Sequence, residues 1–307
     1  MLHLLLRFGA RLPQDVPNER SLHLVRVPRV GGLAMWVGGG LAICVAVLAG
    51  YADERLSEIA VAAGALALLS FVDDRRGLPV GLRMSAHLVA AAWVVSTLSL
   101  PQLLAVCLVP ALAWMANLYN FMDGSDGLAG GMAVVGFTTY GIVALPGSHD
   151  FALFNFIVAA TASGFLVVNF HPARTFLGDA GSIPLGFMAG AFGLVGWHIG
   201  AWPAWFPVLV FSPFIVDASL TLLRRALRRE RIWQAHREHY YQRLVRMGWG
   251  HRRTALVEYG VMLAAGASAL VLTHVAEVYQ WIGVAVWAAI YAELAWRIDK
   301  FWATTAQ

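Results

Sequence analysis

The sequence predicts an all-α protein that crosses a membrane about ten times, with both termini on the inner side. Three observations carry this expectation. The 307 residues are 59% apolar and only 13% charged, whereas a soluble domain carries about 25% charge. Apolar runs of 16 to 20 residues recur along the whole chain, close to the length a helix needs to cross the hydrocarbon. Basic residues gather in alternate loops, as orientation by the positive-inside rule demands.

The expected spans run in order over 34–50, 57–72, 84–100, 102–119, 127–145, 151–170, 182–200, 203–223, 255–275 and 280–298. Gly38 to Gly40, Pro110, Pro207 and Pro213 lie inside them, where membrane helices tolerate such residues better than soluble ones do. With the N-terminus inside, Arg7, Arg11, Arg20, Arg26, Arg29, Arg75, Arg76, Arg83 and Arg174 fall on the inner side. The block from Arg224 to Arg253, Arg297 and Lys300 fall there too, and of 22 basic residues only Arg55 lies outside. The net charge of +4 therefore reports orientation, and no nucleic-acid partner is expected. The opening "MLHLLLRFGARL" is too short to span. It reads as an interfacial stub or as the end of a helix that begins upstream, and it lacks the cleavage site of a secretory signal. Cys44 and Cys107 sit in apolar spans at no disulfide or metal spacing, and are expected to pack. One domain over 1–307 is expected.

Every long inner loop carries a polar constellation, about 73–83, 120–127, 169–182 and 224–254. Asp73 and Asp74 directly follow an apolar run; adjacent carboxylates there repel and need a cation or a proton, unless they merely end a helix. In "NLYNFMDGSDGLAGG", Asn120, Asp123 and Asp126 are spaced by three and share one face. Gly124 and Gly127 let the backbone approach a ligand, and Asp126 also suits a helix cap. Asp179 in "FLGDAGS" reads as a Mg2+ ligand or as another cap. His236 and His239, among Arg237, Arg243 and Arg246, read as phosphate contacts or as one face of a surface helix. Carboxylates without cysteines, and histidines outside the HExxH spacing, suit Mg2+ rather than Zn2+. Asp217, inside the span 203–223, is either functional or paired with Arg224 or Arg225. Acids for a divalent metal, bases for phosphates and a membrane to hold a lipid point to phosphoryl transfer at the inner face. A transporter would spread its acids through the midplane of several helices. A CDP-alcohol phosphotransferase would carry arginine where Gly130 stands, and an aspartate-rich prenyltransferase would space its acids differently from Asp123 and Asp126.

Five stretches in order, "PNERSLHLVRVPRVGG", "FVDDRRGL", "NLYNFMDGSDGLAGG", "FLGDAGS" and "HREHYYQRL", carry a resemblance over nearly the whole chain. The sequence resembles the polyprenyl-phosphate N-acetylhexosamine-1-phosphate transferases of the glycosyltransferase family 4 type. These include the bacterial enzymes that start O-antigen synthesis and the peptidoglycan phospho-MurNAc-pentapeptide translocase. The fifth stretch, continuing as "VRMGWGHRR", is more similar to the O-antigen-initiating branch. The resemblance implies transfer of a sugar-1-phosphate from a UDP-N-acetylamino sugar to undecaprenyl phosphate with release of UMP. It implies Mg2+, with Mn2+ able to substitute, at the cytoplasmic face of a bacterial inner membrane, and it allows a homodimer. By position it makes Asp73, Asp74, Asn120, Asp123 and His239 catalytic and Asp179 the metal ligand. Gly124, Asp126, Asn169 and Phe176 fall to the uridine side, with His236, Arg237 and Arg83 as further substrate contacts. Direct attack and an aspartyl-phosphate route both fit these residues. Two departures stand out: a stub replaces the family's first helix, and Gly81, not Arg83, holds the register expected of the basic residue after the paired acids. Sugar choice is expected of the segment 232–250.

Overall fold

The computed structural model describes residues 14–15, 22, 27–231, 234 and 236–305. The N-terminal stub, most of "PNERSLHLVR" and Ile232 lie outside the described residues. A two-residue antiparallel pair, β1 (Gln14–Asp15) with β2 (Val27–Pro28), precedes the helices. These are α1 (Gly31–Leu48), α2 (Glu54–Arg76), α3 (Val80–Ser96), α4 (Gln102–Phe121), α5 (Leu128–Ala144), α6 (His149–Asn169), α7 (Asp179–His198), α8 (Trp205–Val210), α9 (Ser212–Leu227), α10 (Tyr240–Leu244), α11 (Gly250–Leu272) and α12 (Glu277–Thr305). A π-helical turn, Val245–Trp249, joins α10 to α11.

Among the described residues, seven helical segments are long and apolar enough to cross a bilayer: α1, α2, α4, α6, α7, α10–α11 together, and α12. The 17-residue α3 and α5 are apolar but shorter, about 26 Å each. The expected span 203–223 is not one helix. It breaks at Phe211, and α9 restarts with Pro213 in its first turn, where a missing N–H costs nothing. The architecture is an all-α polytopic membrane protein.

Helix α7 is the centre, with 89% of its apolar stretch buried against 6% for α12. Its small residues permit this. A Cβ at Gly186 would stand 2.5 Å from the Met115 carbonyl oxygen, so α4 and α7 can touch only with glycine there. Helix α12 shows Trp281, Ile282 and Val286 to the surroundings, as a lipid-facing helix must. Cys44 and Cys107 are exposed on their helices. The expectation that they pack is therefore corrected: both are turned away from the core.

Local signals set the helix ends that matter. Asp53 caps α2 by accepting the Leu56 N–H at 2.8 Å. Gly77, at φ 66°, ends it in the left-handed conformation, so Asp73 and Asp74 fall in its last turn. Gly178, at φ 70°, opens α7. The ends of α2 and α4 and the start of α7 meet on one side of the bundle.

Candidate active site

Asp74 faces the start of α7. Its Oδ2 accepts the Ala180 N–H at 3.4 Å, and its Oδ1 lies 3.5 Å from Arg29 Nη1. Both contacts are long, and a helix N-terminus favours an anion there. Asp73 is held more tightly. Its Oδ1 accepts the Leu78 N–H at 2.6 Å and its Oδ2 pairs with Arg83 Nη1 at 2.9 Å. The same Arg83 nitrogen is 3.9 Å from Asp179 Oδ2. Arg83 is thus the basic residue paired with Asp73, while Asp74 faces Arg29. The Gly81 register is corrected, because Gly77 and Pro79 restart the chain as α3 and place residue 83 one turn in. Asn120 Oδ1 accepts the Ser182 hydroxyl at 2.8 Å, tying α4 to α7. Asp123, on the loop after α4, feels Asp179 and Asp74 against Arg29. Burial first, then the Asp179 charge, push its carboxyl well above the usual carboxylate range.

The loop 122–127 is pinned from below. Asn169 is buried, and its amide is spent inside the protein: Oδ1 accepts the Gly127 N–H at 2.9 Å and Nδ2 donates to Thr175 O at 2.9 Å. Asp126 Oδ2 takes His171 Nδ1 at 2.6 Å and the Ala173 N–H at 3.2 Å. Both residues expected on the uridine side therefore staple two loops together, and α5 is capped by Gly127 rather than by Asp126. Phe176 is half-buried, with its main chain fixed between Pro28 O and the Gly31 N–H at 2.9 Å each. Gly124 leaves no room for a side chain: a Cβ there would stand 2.2 Å from Tyr241 Oη.

That tyrosine belongs to the histidine loop. Tyr241 donates its hydroxyl to Phe121 O at 3.0 Å, and the His239 ring stacks on Phe121 with centroids 6.1 Å apart. Buried Asp217 organises the turn. It accepts the Tyr240 N–H at 2.9 Å and the Tyr241 N–H at 3.0 Å, and its Oδ1 is 3.2 Å from His239 Nδ1. Its pairing with Arg224 or Arg225 is not found, since Arg224 binds Asp299 and Arg225 binds Glu230 and Glu238. His236, expected as a phosphate contact, is uncharged. Burial, then His239 and Arg225, hold its pKa down at about 4, so it is neutral at pH 7. Its Nδ1 accepts the Glu238 N–H at 3.3 Å, which leaves Nε2–H as the donor. No contact joins Arg237 to the acids among the described residues; Arg237 lines an open basic cleft with Arg225, Arg231 and Arg246.

Sequence reasoning missed Arg29 as a partner of the acids, Ser182, and the role of Asp217 as the anchor of the histidine loop. Arg29 stood inside a quoted stretch, "VPRVGG", and its charge was the available signal. Among the described residues, no three Asp, Glu, His or Cys side chains stand close enough to chelate an ion alone. Mg2+ does not need this, since it takes one or two carboxylates and completes its shell with water and substrate phosphates. Asp179 with either Asp74 or Asp123 would make a donor set of that kind.

The sequence model of glycosyl transferase family 4 matches residues 56–196. The chain is 32% identical over 278 residues to a probable undecaprenyl-phosphate N-acetylglucosaminyl 1-phosphate transferase of Bacillus subtilis, covering 84% of this chain and 76% of that protein. It is 28% identical to a decaprenyl-phosphate N-acetylglucosaminephosphotransferase of Mycolicibacterium smegmatis, over 95% and 82% of the two chains. It is 27% identical to a phospho-N-acetylmuramoyl-pentapeptide-transferase of Thermosynechococcus vestitus, over 88% and 79%. With two loops of acids, a histidine loop and a bilayer-spanning bundle arranged around them, the chain belongs to glycosyl transferase family 4, within the superfamily of polyprenyl-phosphate sugar-phosphate transferases.

Proposed function

We propose that the protein transfers an N-acetylamino-sugar-1-phosphate from a UDP-sugar to a polyprenyl phosphate, undecaprenyl phosphate in a bacterial plasma membrane, and releases UMP. The observation that carries the reading is the meeting of Asp73, Asp74, Asp123 and Asp179 at the ends of α2, α4 and α7, with Arg29 and Arg83 beside them. The names of the relatives favour N-acetylglucosamine as the donor sugar. The product starts a cell-surface polysaccharide, and the acid cluster faces the cytoplasm with both chain termini.

The reaction joins two anions. An oxygen of the lipid phosphate attacks the β-phosphorus of the UDP-sugar, the bond from that phosphorus to the bridging oxygen breaks, and UMP leaves with that oxygen. Mg2+, or Mn2+ in its place, would be held by Asp179 with Asp74 or Asp123 and the substrate phosphates, and would supply charge neutralisation there. Arg29 and Arg83 add fixed positive charge at the same place. Asp73 is a positioning residue: it spends its oxygens on Leu78 and Arg83, so the lipid phosphate falls to Asp74, whose contacts are long. His239, held through Nδ1 by Asp217, keeps Nε2 for the substrate. Asn169 and Asp126 keep the nucleotide-side loop in shape.

The test incubates purified protein with undecaprenyl phosphate, Mg2+ and a panel of UDP-N-acetylamino sugars, and identifies the lipid product by mass. A sugar-pyrophosphate lipid from UDP-N-acetylglucosamine is expected. Uptake of a UDP-sugar into proteoliposomes with no lipid product would sink the reading in favour of a carrier.

A further inference from the structure

A second basic cleft, of about 480 Å3, lies between the ends of α9, α10 and α12, lined by Arg224, Leu227, Arg228, Arg243, Asp299 and Trp302. We propose that it binds the phosphate of an anionic phospholipid and so braces the histidine loop from the membrane side.

Charge comes first. Asp299 accepts Arg224 Nη1 at 2.5 Å and Arg243 Nη1 at 2.8 Å, so one carboxylate answers two guanidinium groups. Arg228 adds a third; it leans outward on Glu230 at 3.6 Å and Glu238 at 3.4 Å, exposed pairs that bind weakly. The cleft therefore keeps a positive excess that a phosphodiester would neutralise.

The second observation is a buried donor. The Arg243 side chain is only 7% exposed, it lines the cleft, and its Nε is buried with no hydrogen-bond partner among the described residues. A buried N–H without a partner is costly, and a phosphate oxygen is the acceptor its fork fits.

Depth selects a lipid. Glu277 opens α12, and the 22 residues from there to Asp299 rise about 33 Å, close to the thickness of the hydrocarbon core. Asp299 thus lies at headgroup level. Trp296 and Trp302 flank it, with Lys300 Nζ 5.2 Å from the Trp296 ring and Arg246 4.8 Å from the Trp302 ring, the pattern of an interfacial aromatic belt. Leu227, 76% exposed, offers the acyl chains an apolar wall. Through Arg243, whose main-chain N–H donates to His239 O at 2.9 Å, the bound phosphate would reach the histidine loop.

The test needs no turnover. The full chain in detergent is offered phosphatidylglycerol or phosphatidylcholine of the same acyl chains, and retained lipid is read by native mass spectrometry. Wild type should retain phosphatidylglycerol in preference. Replacing Arg224→Gln and Arg228→Gln together should cut that retention about twenty-five-fold, about fivefold per arginine, with phosphatidylcholine unmoved. Asp299→Asn should raise it. Should the double variant not fold, Arg228→Gln alone, at an exposed position, should still lose about fivefold. Equal retention of the two lipids, no loss in the arginine variants, or displacement by inorganic phosphate at millimolar concentration would each overturn the proposal.

Discussion

Asp217→Asn is the sharpest perturbation of the histidine loop. The wild-type side chain is 8% exposed. Its two oxygens separately accept the Tyr240 N–H at 2.9 Å and the Tyr241 N–H at 3.0 Å. Asparagine keeps the shape but has one acceptor oxygen, so its NH2 must face a main-chain N–H. One hydrogen bond to a charged acceptor is lost and one buried donor is stranded, which together cost about 2–4 kcal/mol. Local opening of α10 should rise about 30- to 700-fold. Hydrogen exchange read by mass spectrometry on the peptide spanning 239–244 measures it, with the central helix α7 as internal control. Transfer activity should fall with it, chiefly in kcat if His239 acts on the reacting phosphates, and Asp217→Glu should recover part of both. Unchanged exchange in that peptide would refute the reasoning, because Asp217 would then not be its anchor.

Further predictions follow from the same geometry. Gly124→Ala must push Tyr241 away, break its hydrogen bond to Phe121 O and cost about 1–3 kcal/mol; a lowered melting temperature with weakened UDP-sugar binding checks it. Asn169→Ala strands the buried Gly127 N–H and Thr175 carbonyl and should destabilise by about 2–4 kcal/mol, read as a melting shift that added nucleotide does not restore. Asp123 carries a carboxyl pKa raised by burial and by Asp179, so the folded state holds its proton more firmly than the unfolded chain does. Its contribution to stability is present at low pH and is lost as pH rises from about 4 through the folded value. Melting temperature in EDTA should fall over that window, Asp123→Asn should flatten the fall, and added Mg2+ should reverse it in wild type only. Arg83→Gln removes the partner of Asp73 and the neighbour of Asp179 and should lower turnover while tightening Mg2+ binding, measured by metal titration of the melting curve.

Much of this was legible in the residues. The spans followed from apolar length, and the acids from their places at span ends. What escaped depended on how the chain turns. Arg83 stands two residues past the register expected of the basic residue, because that register assumes an unbroken helix and Gly77 in its left-handed conformation resets it. Asp217 had two arginines within two turns of its own helix, yet it binds main-chain groups more than twenty residues away. Nothing local encodes that choice. The break at Phe211 is marked in the sequence only by Ser212 and Pro213, which a membrane span otherwise tolerates in its interior. The charge state of His236 depends on burial first, then on His239 and on Arg225 of α9, which sequence spacing does not show. That Asn169 and Asp126 also bind the loops around them is visible only in the fold, because their partners lie in other segments.

If the acid cluster with Mg2+ performs the transfer, as proposed, activity must depend on both the metal and the acids. The measurement is lipid-dependent UMP release by purified protein across a Mg2+ titration, in wild type and in Asp74→Asn and Asp179→Asn variants shown to be folded by their melting curves. The account predicts release that needs both undecaprenyl phosphate and Mg2+, stops in EDTA, and falls by orders of magnitude in both variants. Release that persists in EDTA, or variants that turn over at the wild-type rate, would contradict it.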